Sequence, residues 1–120
     1  SEQGPTRMPQ IRKFQLVVED KFGTTLHIFK LREGKNRVGV YSLDFGMPDV
    51  DFTAFDTDHV VSRRQADIII ERGKIYVHDL GSRNGTIVGD DKHKGGPAVA
   101  VEEGERIVFA NQICKIVGML

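Results

Sequence analysis

Short apolar segments separated by turn residues are the feature that most constrains the fold of this chain. Phe14, Leu16 and Val18 alternate with other residues in the pattern of a half-buried strand. Residues 20–23 then provide a turn and residues 26–31 a second strand, which together predict a hairpin. Further segments of this kind, separated by turns, lie at residues 36–41, 66–70, 74–79, 86–88, 99–102, 106–110 and 112–117. The pattern predicts about ten or eleven strands.

The composition of the chain also favours strands over helices. Val and Ile together number 23, against 14 for Leu, Ala and Met, and 13 Gly are available for turns. A length of 120 residues is that of one domain. We therefore expect an all-β domain, either a sandwich or a barrel, over residues 11–120. Residues 1–10 are mostly polar and lack an initiator Met, and they are predicted to be a disordered tail or a cloning remnant.

Charge and cysteine content exclude several classes of function. Lys plus Arg equal Asp plus Glu at 17 each, so no overall positive field is available to hold a nucleic acid or an anionic membrane. Cys114 and the four His lack the spacing of metal ligands, so we expect neither a metal nor another cofactor. No apolar run approaches the roughly 18 residues of a membrane span. A single cysteine suits a reducing compartment, and the expected location is the cytoplasm.

Three segments interrupt the strand pattern, and loops on a rigid scaffold often carry binding residues. Residues 42–58 hold five Asp and no Lys or Arg, which predicts a negatively charged patch. The second and third segments, residues 60–65 and 79–86, combine Ser, Arg, Asn and Gly. A fourth segment, residues 90–97, mixes Lys, His and paired Gly, and we predict a plain flexible turn there.

Four motifs follow one another along the chain. They are Val38-Gly39, Ser62-Arg63-Arg64-Gln65-Ala66, Asp79-Leu80-Gly81-Ser82-Arg83-Asn84-Gly85-Thr86 and Glu103-Gly104-Glu105-Arg106-Ile107. In this order, with a strand between the second and the third, they resemble the motifs of the forkhead-associated (FHA) domain over about residues 14–117. The resemblance implies a β-sandwich of about eleven strands in two sheets. It also implies binding of phosphothreonine peptides through loops at one end of the sandwich.

Ser62, Arg63 and Arg64 have the chemistry that a phosphate group requires. A phosphate carries nearly two negative charges and three acceptor oxygens, which suit a short hydroxyl donor and the forked donors of arginine. Ser62 would donate its hydroxyl proton, and Arg63 would pair with the phosphate or the peptide backbone. Arg64 would add positive field or face solvent. Without the resemblance, a solvated surface turn accounts for the same three residues.

The third motif contains an Asn-Gly turn. Gly85 allows the left-handed backbone of a tight turn, and Asn84 tolerates it. By resemblance, Asn84 also hydrogen-bonds to the main chain of a bound peptide, and Arg83 lines the path of that peptide. From the residues alone, a hairpin turn with an exposed arginine accounts for the motif as well. We expect Asp79 and Thr86 to brace the loop.

The chain departs from the family pattern at three positions, one of which is Gly89, where the family often has an asparagine that braces the loop. The family has an arginine after the glycine of the first motif, but Val40 follows Gly39 here, so a principal phosphate contact is missing. Arg37 lies on the strand face opposite Val40 and would need a bulge or a shifted register to replace that arginine. The family's histidine in the second motif, a loop brace, is replaced by Gln65, whose amide can still donate and accept hydrogen bonds.

The leading hypothesis is a signalling module that binds phosphothreonine in a phosphorylated partner protein or peptide. Its predicted peptide contacts are Ser62, Arg63, Arg83 and Asn84. Its predicted loop supports are Gly39, Gln65, Gly85 and Thr86.

The alternative is a degenerate FHA domain that acts as a phosphate-independent scaffold or self-association module. Val40 and the acidic segment motivate it, and the contact would then come from a strand edge or from Phe45, Met47 and Phe55. An enzyme is not expected. Ser62 could be combined with His59 or His78 and an Asp into a hydrolytic triad. The sequence, however, contains no nucleophile elbow that would support one.

Overall fold

The computed structural model describes residues 12–119, so the tail predicted at residues 1–10 lies outside the described part of the chain. Eleven strands form within it. They are β1 Phe14–Glu19, β2 Thr25–Lys30, β3 Gly34–Gly39, β4 Val50–Asp51, β5 Ala66–Glu71, β6 Lys74–Asp79, β7 Thr86–Val88, β8 Asp91–His93, β9 Val99–Val101, β10 Arg106–Phe109 and β11 Gln112–Gly118.

The strands form two sheets. A six-stranded sheet has the order β2-β1-β11-β10-β7-β8, and a five-stranded sheet has the order β4-β3-β5-β6-β9. The neighbouring strands pair antiparallel, except that β3 and β4 run parallel. The predicted β-sandwich of about eleven strands in two sheets is confirmed, and so is the hairpin of β1 and β2.

The hydrophobic core holds the predicted alternating residues together with side chains from both sheets. Phe14, Leu16 and Val18 of β1 are almost completely buried in it, as are Ile68 of β5 and Ile107 of β10. Each such side chain contributes about 1.5 to 3 kcal/mol of burial free energy. Removal from water also raises the pKa of the Cys114 thiol in this core, with a smaller contribution from the negative charge of Glu19.

One short strand lies where the sequence predicts a plain turn, and another lies in the acidic segment. The prediction of a plain turn at residues 90–97 is wrong in part, because β8 forms at Asp91–His93 and pairs with β7. This strand is a three-residue edge strand with no apolar alternation, so neither burial nor periodicity marks it in the sequence. The strand β4 lies inside the acidic segment 42–58, where Val50 pairs with Val38.

Strand register brings the second and third motifs to one end of the sandwich. Val38 near the end of β3 pairs with Ala66 at the start of β5, and Ala66 pairs with Asp79 at the end of β6. The loops that leave these three strand ends therefore lie side by side. They are residues 40–65 between β3 and β5, interrupted by β4, and residues 80–85 between β6 and β7.

Candidate functional site

Gly39 lets the end of β3 approach the second motif closely. A Cβ atom added at Gly39 would overlap the carbonyl oxygen of Arg63 and lie 2.9 Å from that of Ser62. Both neighbours are backbone atoms, so a larger residue would force the loop to move. The backbone of residues 62 and 63 is thus packed directly on the strand.

Asp56 shapes the turn that precedes Ser62. Its buried carboxylate accepts hydrogen bonds from the backbone N–H of Val60 at 2.9 Å and of Val61 at 3.2 Å. The N–H of Ser62 then donates to the side-chain oxygen of Gln65 at 3.0 Å. Successive N–H groups of this turn are therefore held by side chains, which fixes where Ser62 stands.

Gln65 joins the second motif to the third. Its fully buried Nε2 donates to the Ser82 hydroxyl at 3.0 Å, to the Gly85 carbonyl at 2.8 Å and to the Thr86 hydroxyl at 3.2 Å. Together with the bond from Ser62, the amide connects a loop of the five-stranded sheet to the first residue of β7 in the six-stranded sheet. Gln65 therefore helps to fix the relative position of the two loops.

Asp79 braces the third motif from within. Its carboxylate accepts the Ser82 and Thr86 hydroxyls, both at 2.7 Å, and the backbone N–H groups of Gly81, Ser82 and Gly95. Burial alone would raise the pKa of this carboxyl, but these hydrogen bonds outweigh it, and the pKa of Asp79 lies below its ordinary value. The loop is therefore organised around a charged carboxylate.

An open pocket of about 560 Å³ lies between the two loops. The Ser62 hydroxyl oxygen accepts the backbone N–H of Arg83 at 3.1 Å, which directs its own proton toward another acceptor. Three arginines with exposed side chains share this pocket with Ser62. The residues around the pocket are Phe45, Val61, Ser62, Arg63, Arg64, Leu80, Gly81 and Arg83.

The structure places Asn84 beside the pocket rather than in its wall. Its Nδ2 donates to the Val60 carbonyl at 2.8 Å, and an Nη2 of the neighbouring Arg83 donates to the His59 carbonyl at 3.1 Å. Gly85 has a φ of +82°, as its turn requires, and its N–H donates to the Ser82 hydroxyl. Of the four predicted contacts, Ser62, Arg63 and Arg83 meet in the pocket, and Asn84 stands at its edge.

Val40 and Arg37 stabilise the fold around the pocket through contacts with other parts of the chain. Val40 packs against the hydrophobic core. The guanidinium of Arg37 donates to the carbonyls of Arg63 at 2.9 Å, Phe45 at 2.7 Å and Gly46 at 3.3 Å. Arg37 thus ties the loop after β3 to the second motif, and it is not among the residues that line the pocket.

The acidic segment is mostly engaged in local contacts. Within residues 12–119, only Asp44 of its five aspartates forms an ion pair with an arginine of the pocket, at 2.9 Å from Arg63. Asp49 binds Arg32 and the N–H of Arg37. The other three carboxylates accept hydrogen bonds from Thr53, from the turn before Ser62 and from Asn111.

Phe45 is one of the pocket residues that the sequence did not assign to the phosphate site. Its ring lies among three guanidinium groups, with 5.4 Å to Arg64, 5.9 Å to Arg37 and 6.0 Å to Arg63. From the sequence, Phe45 is predicted only as a contact of the phosphate-independent alternative. The sequence carries no periodic or motif signal for its position, because the contact arises from the fold of the loop after β3.

Within residues 12–119, no three His, Cys, Asp or Glu side chains gather in a way that would hold a metal ion. No helix in this part of the chain is long and apolar enough to cross a membrane.

The comparison with family models decides the family of this chain. The model of the FHA domain matches residues 34–110, which is more than half of the sequence. The chain belongs to the FHA family. FHA domains are protein-interaction modules, so the general function of this chain is protein–protein interaction.

One curated relative is protein FraH of Nostoc sp. (strain PCC 7120), which is 38% identical over 70 residues. The match covers 52% of this chain and 24% of FraH, so the chain spans about a quarter of that relative.

Several solved FHA structures share the fold. The FHA domain of CT664 from Chlamydia trachomatis has a TM-score of 0.71 at 24% identity, covering 90% of this chain and 99% of that one. The yeast splicing factor Pml1 has a TM-score of 0.72 at 18% identity, covering 95% of this chain and 85% of that one. An FHA domain studied for phosphothreonine-dependent interactions has a TM-score of 0.67 at 23% identity, covering 88% and 95%. At these identities the likeness shows the fold.

Proposed function

We propose that this domain binds a segment of a partner protein through a phosphothreonine. The supporting observation is the convergence of the Ser62 hydroxyl with Arg63, Arg64 and Arg83 in one open pocket. A hydroxyl donor beside several guanidinium groups is a suitable environment for a doubly charged phosphate. The phosphothreonine-dependent interactions of one structural neighbour are consistent with this use of the fold.

Each predicted contact has a defined task in this proposal. Ser62 donates its hydroxyl proton to a phosphate oxygen, because its oxygen already accepts the N–H of Arg83. Arg63 exchanges its ion pair with Asp44 for one with the phosphate. Arg64 and Arg83 add positive field. The side-chain amide of Asn84 hydrogen-bonds to the main chain of the peptide.

The valine at position 40 sets the expected strength of binding. A hydrogen bond to a charged group is worth about 1.5 to 3 kcal/mol, so loss of the family's arginine weakens binding by roughly ten- to a hundredfold unless another cation compensates. Three pocket arginines are available for this compensation. We therefore propose phosphate-dependent binding of moderate affinity.

A titration of a degenerate phosphothreonine peptide library tests the proposal. The wild-type domain should bind the phosphorylated library and not its unphosphorylated form. Ser62→Ala and Arg63→Ala should each weaken binding by about tenfold or more. Arg106→Ala removes an equally charged, exposed side chain from β10 and should leave binding unchanged. Equal affinity for the two libraries would refute phosphate dependence.

A second candidate function is the phosphate-independent scaffold. Two observations favour it: Val40 packs against the core, and Asp44 already neutralises part of the charge of Arg63. Phosphatase treatment of a bound partner separates the two candidates. The scaffold predicts that binding survives this treatment, whereas the phosphothreonine reader predicts that it is lost.

Neither candidate requires catalysis or a cofactor. The Ser62 hydroxyl oxygen accepts the backbone N–H of Arg83, and in both candidates this serine acts as a binding residue. The buried thiol of Cys114 fits the reducing cytoplasm in which we place the domain.

A further inference from the structure

The loop that follows β3, residues 41–47, is held by several hydrogen bonds. Ser42 and Gly46 form a β-bridge, with N–H to carbonyl distances of 2.8 and 3.4 Å. The N–H of Phe45 donates to the Ser42 hydroxyl at 3.1 Å. The guanidinium of Arg37 donates hydrogen bonds to the carbonyls of Phe45 and Gly46. This "41–47 loop" is therefore preorganised, and ordering it on binding costs little.

The 41–47 loop exposes large apolar side chains. Leu43 is 91% exposed, Met47 69% and Phe45 47%. Burial of a Leu or Met side chain stabilises a protein or a complex by about 1.5 to 3 kcal/mol. Leu43 and Met47 do not obtain this free energy within the fold, because they are exposed. A cluster of such side chains on a fixed loop is typical of an interaction surface.

The exposed residues lie within reach of the arginine pocket. Phe45 is part of the pocket wall, and Leu43 and Met47 are each two residues away from it along the chain. Consecutive Cα atoms are about 3.8 Å apart, so the Cα atoms of Leu43 and Met47 lie within about 8 Å of the Cα atom of Phe45. An extended peptide covers about 3.3 to 3.6 Å per residue, so two or three residues bridge this distance.

We propose that Leu43 and Met47 bind apolar side chains located within three positions of the phosphothreonine in the same partner segment. This proposal rests on the proposed function. The charges support a single partner segment that occupies both the arginine pocket and the surface of Leu43 and Met47. The pocket arginines attract the phosphate, and Asp44 repels further acidic residues beside it. The preferred partner thus has a phosphothreonine flanked by Leu, Ile, Met or Phe rather than by Asp or Glu.

The test uses peptides with a fixed phosphothreonine and three randomised positions on each side. Binding to the wild-type domain should enrich apolar residues at one or more of these positions. The best enriched peptide should then bind the double variant Leu43→Ser, Met47→Ser about tenfold more weakly. Leu26→Ser makes the same chemical change at a residue of β2 that is 52% exposed, and it should leave affinity unchanged.

The outcomes separate this proposal from the proposed function. Phosphate-dependent binding without apolar enrichment, or with enrichment but unchanged affinity of the double variant, overturns the apolar surface and leaves the phosphothreonine reader standing. Binding that ignores the phosphate overturns both. A thermal unfolding curve of the double variant that matches wild type shows that the loss of affinity is local, as expected for exposed side chains.

Discussion

At the scale of single residues, the Asp44–Arg63 ion pair decides how readily the pocket accepts a phosphate. The pair is exposed and spans 2.9 Å, and exposed pairs contribute about 0.2 to 1 kcal/mol. Asp44→Asn frees Arg63 and removes a negative charge within a Debye length of about 8 Å. We expect the affinity for a phosphothreonine peptide, measured by calorimetry, to rise by about two- to fivefold.

The matched control is Asp90→Asn, a change of equal charge at an exposed loop residue. It should leave the affinity unchanged. A decrease in affinity on Asp44→Asn would show that Asp44 helps to bind the partner instead of competing with it.

Gln65 is a residue on which the geometry of the pocket depends. Gln65→Ala removes the partner of the Ser62 N–H and of the Gly85 carbonyl in a buried place, which typically costs about 1 to 3 kcal/mol. We expect the free energy of unfolding in urea to fall by about 2 kcal/mol and phosphopeptide binding to be lost. Unchanged binding in the folded variant would show that the two loops are positioned by other contacts.

The sequence alone identifies some pocket residues and misses others for a physical reason. Ser62, Arg63 and Arg83 belong to local motifs, and the structure brings them together. Their role in binding stays a prediction. Asp44 and Phe45 reach the pocket because the loop after β3 folds back onto the second motif, and such long-range contacts leave no local pattern in the sequence.

At the scale of elements, the close packing of β3 on the second motif explains why glycine stands at position 39. Gly39→Ala would place a Cβ atom in contact with two backbone carbonyls and displace residues 62 and 63. Overpacking of this kind costs about 1 to 3 kcal/mol. We expect urea unfolding to show a loss in this range, together with weakened phosphopeptide binding.

Lys35→Ala tests whether this effect belongs to the site-facing end of the strand. Lys35 is exposed on the same strand β3, and its replacement should change stability by less than about 0.5 kcal/mol. If Gly39→Ala were as mild as Lys35→Ala, the packing of the strand end on the loop would not constrain the site.

The strands differ in how far the sequence predicts them. β1, β5, β6 and β10 are rich in apolar, mostly β-branched residues that pack into the core, so alternation and turn residues mark them. The edge strand β8 has no such pattern, because partner pairing rather than burial defines it.

At the scale of the whole molecule, the family motifs predict the sandwich better than periodicity does. Periodicity leaves a sandwich and a barrel open, since both use short alternating strands. The order of strands in each sheet depends on pairings between distant segments, such as β1 with β11. The motif order supplies this information, because it belongs to a family with one topology.

The acid stability of the fold should depend on Asp79. Its pKa is lowered in the folded state, so the unfolded chain binds the proton more readily, and the carboxylate stabilises the fold above its ordinary pKa of about 3.9. This contribution disappears as the pH falls through the lowered folded value. We expect wild type to exceed Asp79→Asn in free energy of unfolding at about pH 7, and this difference to shrink below about pH 4.

Urea unfolding at both pH values measures this difference, with Asp90→Asn as the exposed control that shows none. A difference between wild type and Asp79→Asn that stays constant with pH would mean that the hydrogen bonds of Asp79 do not favour its charged form.

A titration followed by two-dimensional amide NMR tests the phosphate pocket most directly. A phosphothreonine peptide should shift the amide signals of residues 62–65 and 82–85 most strongly, because the Ser62 hydroxyl and the N–H of Arg83 share one hydrogen bond beside the bound phosphate. The same peptide without phosphate should leave these signals in place. Equal shifts with both peptides, or shifts confined to other surfaces, would contradict the account.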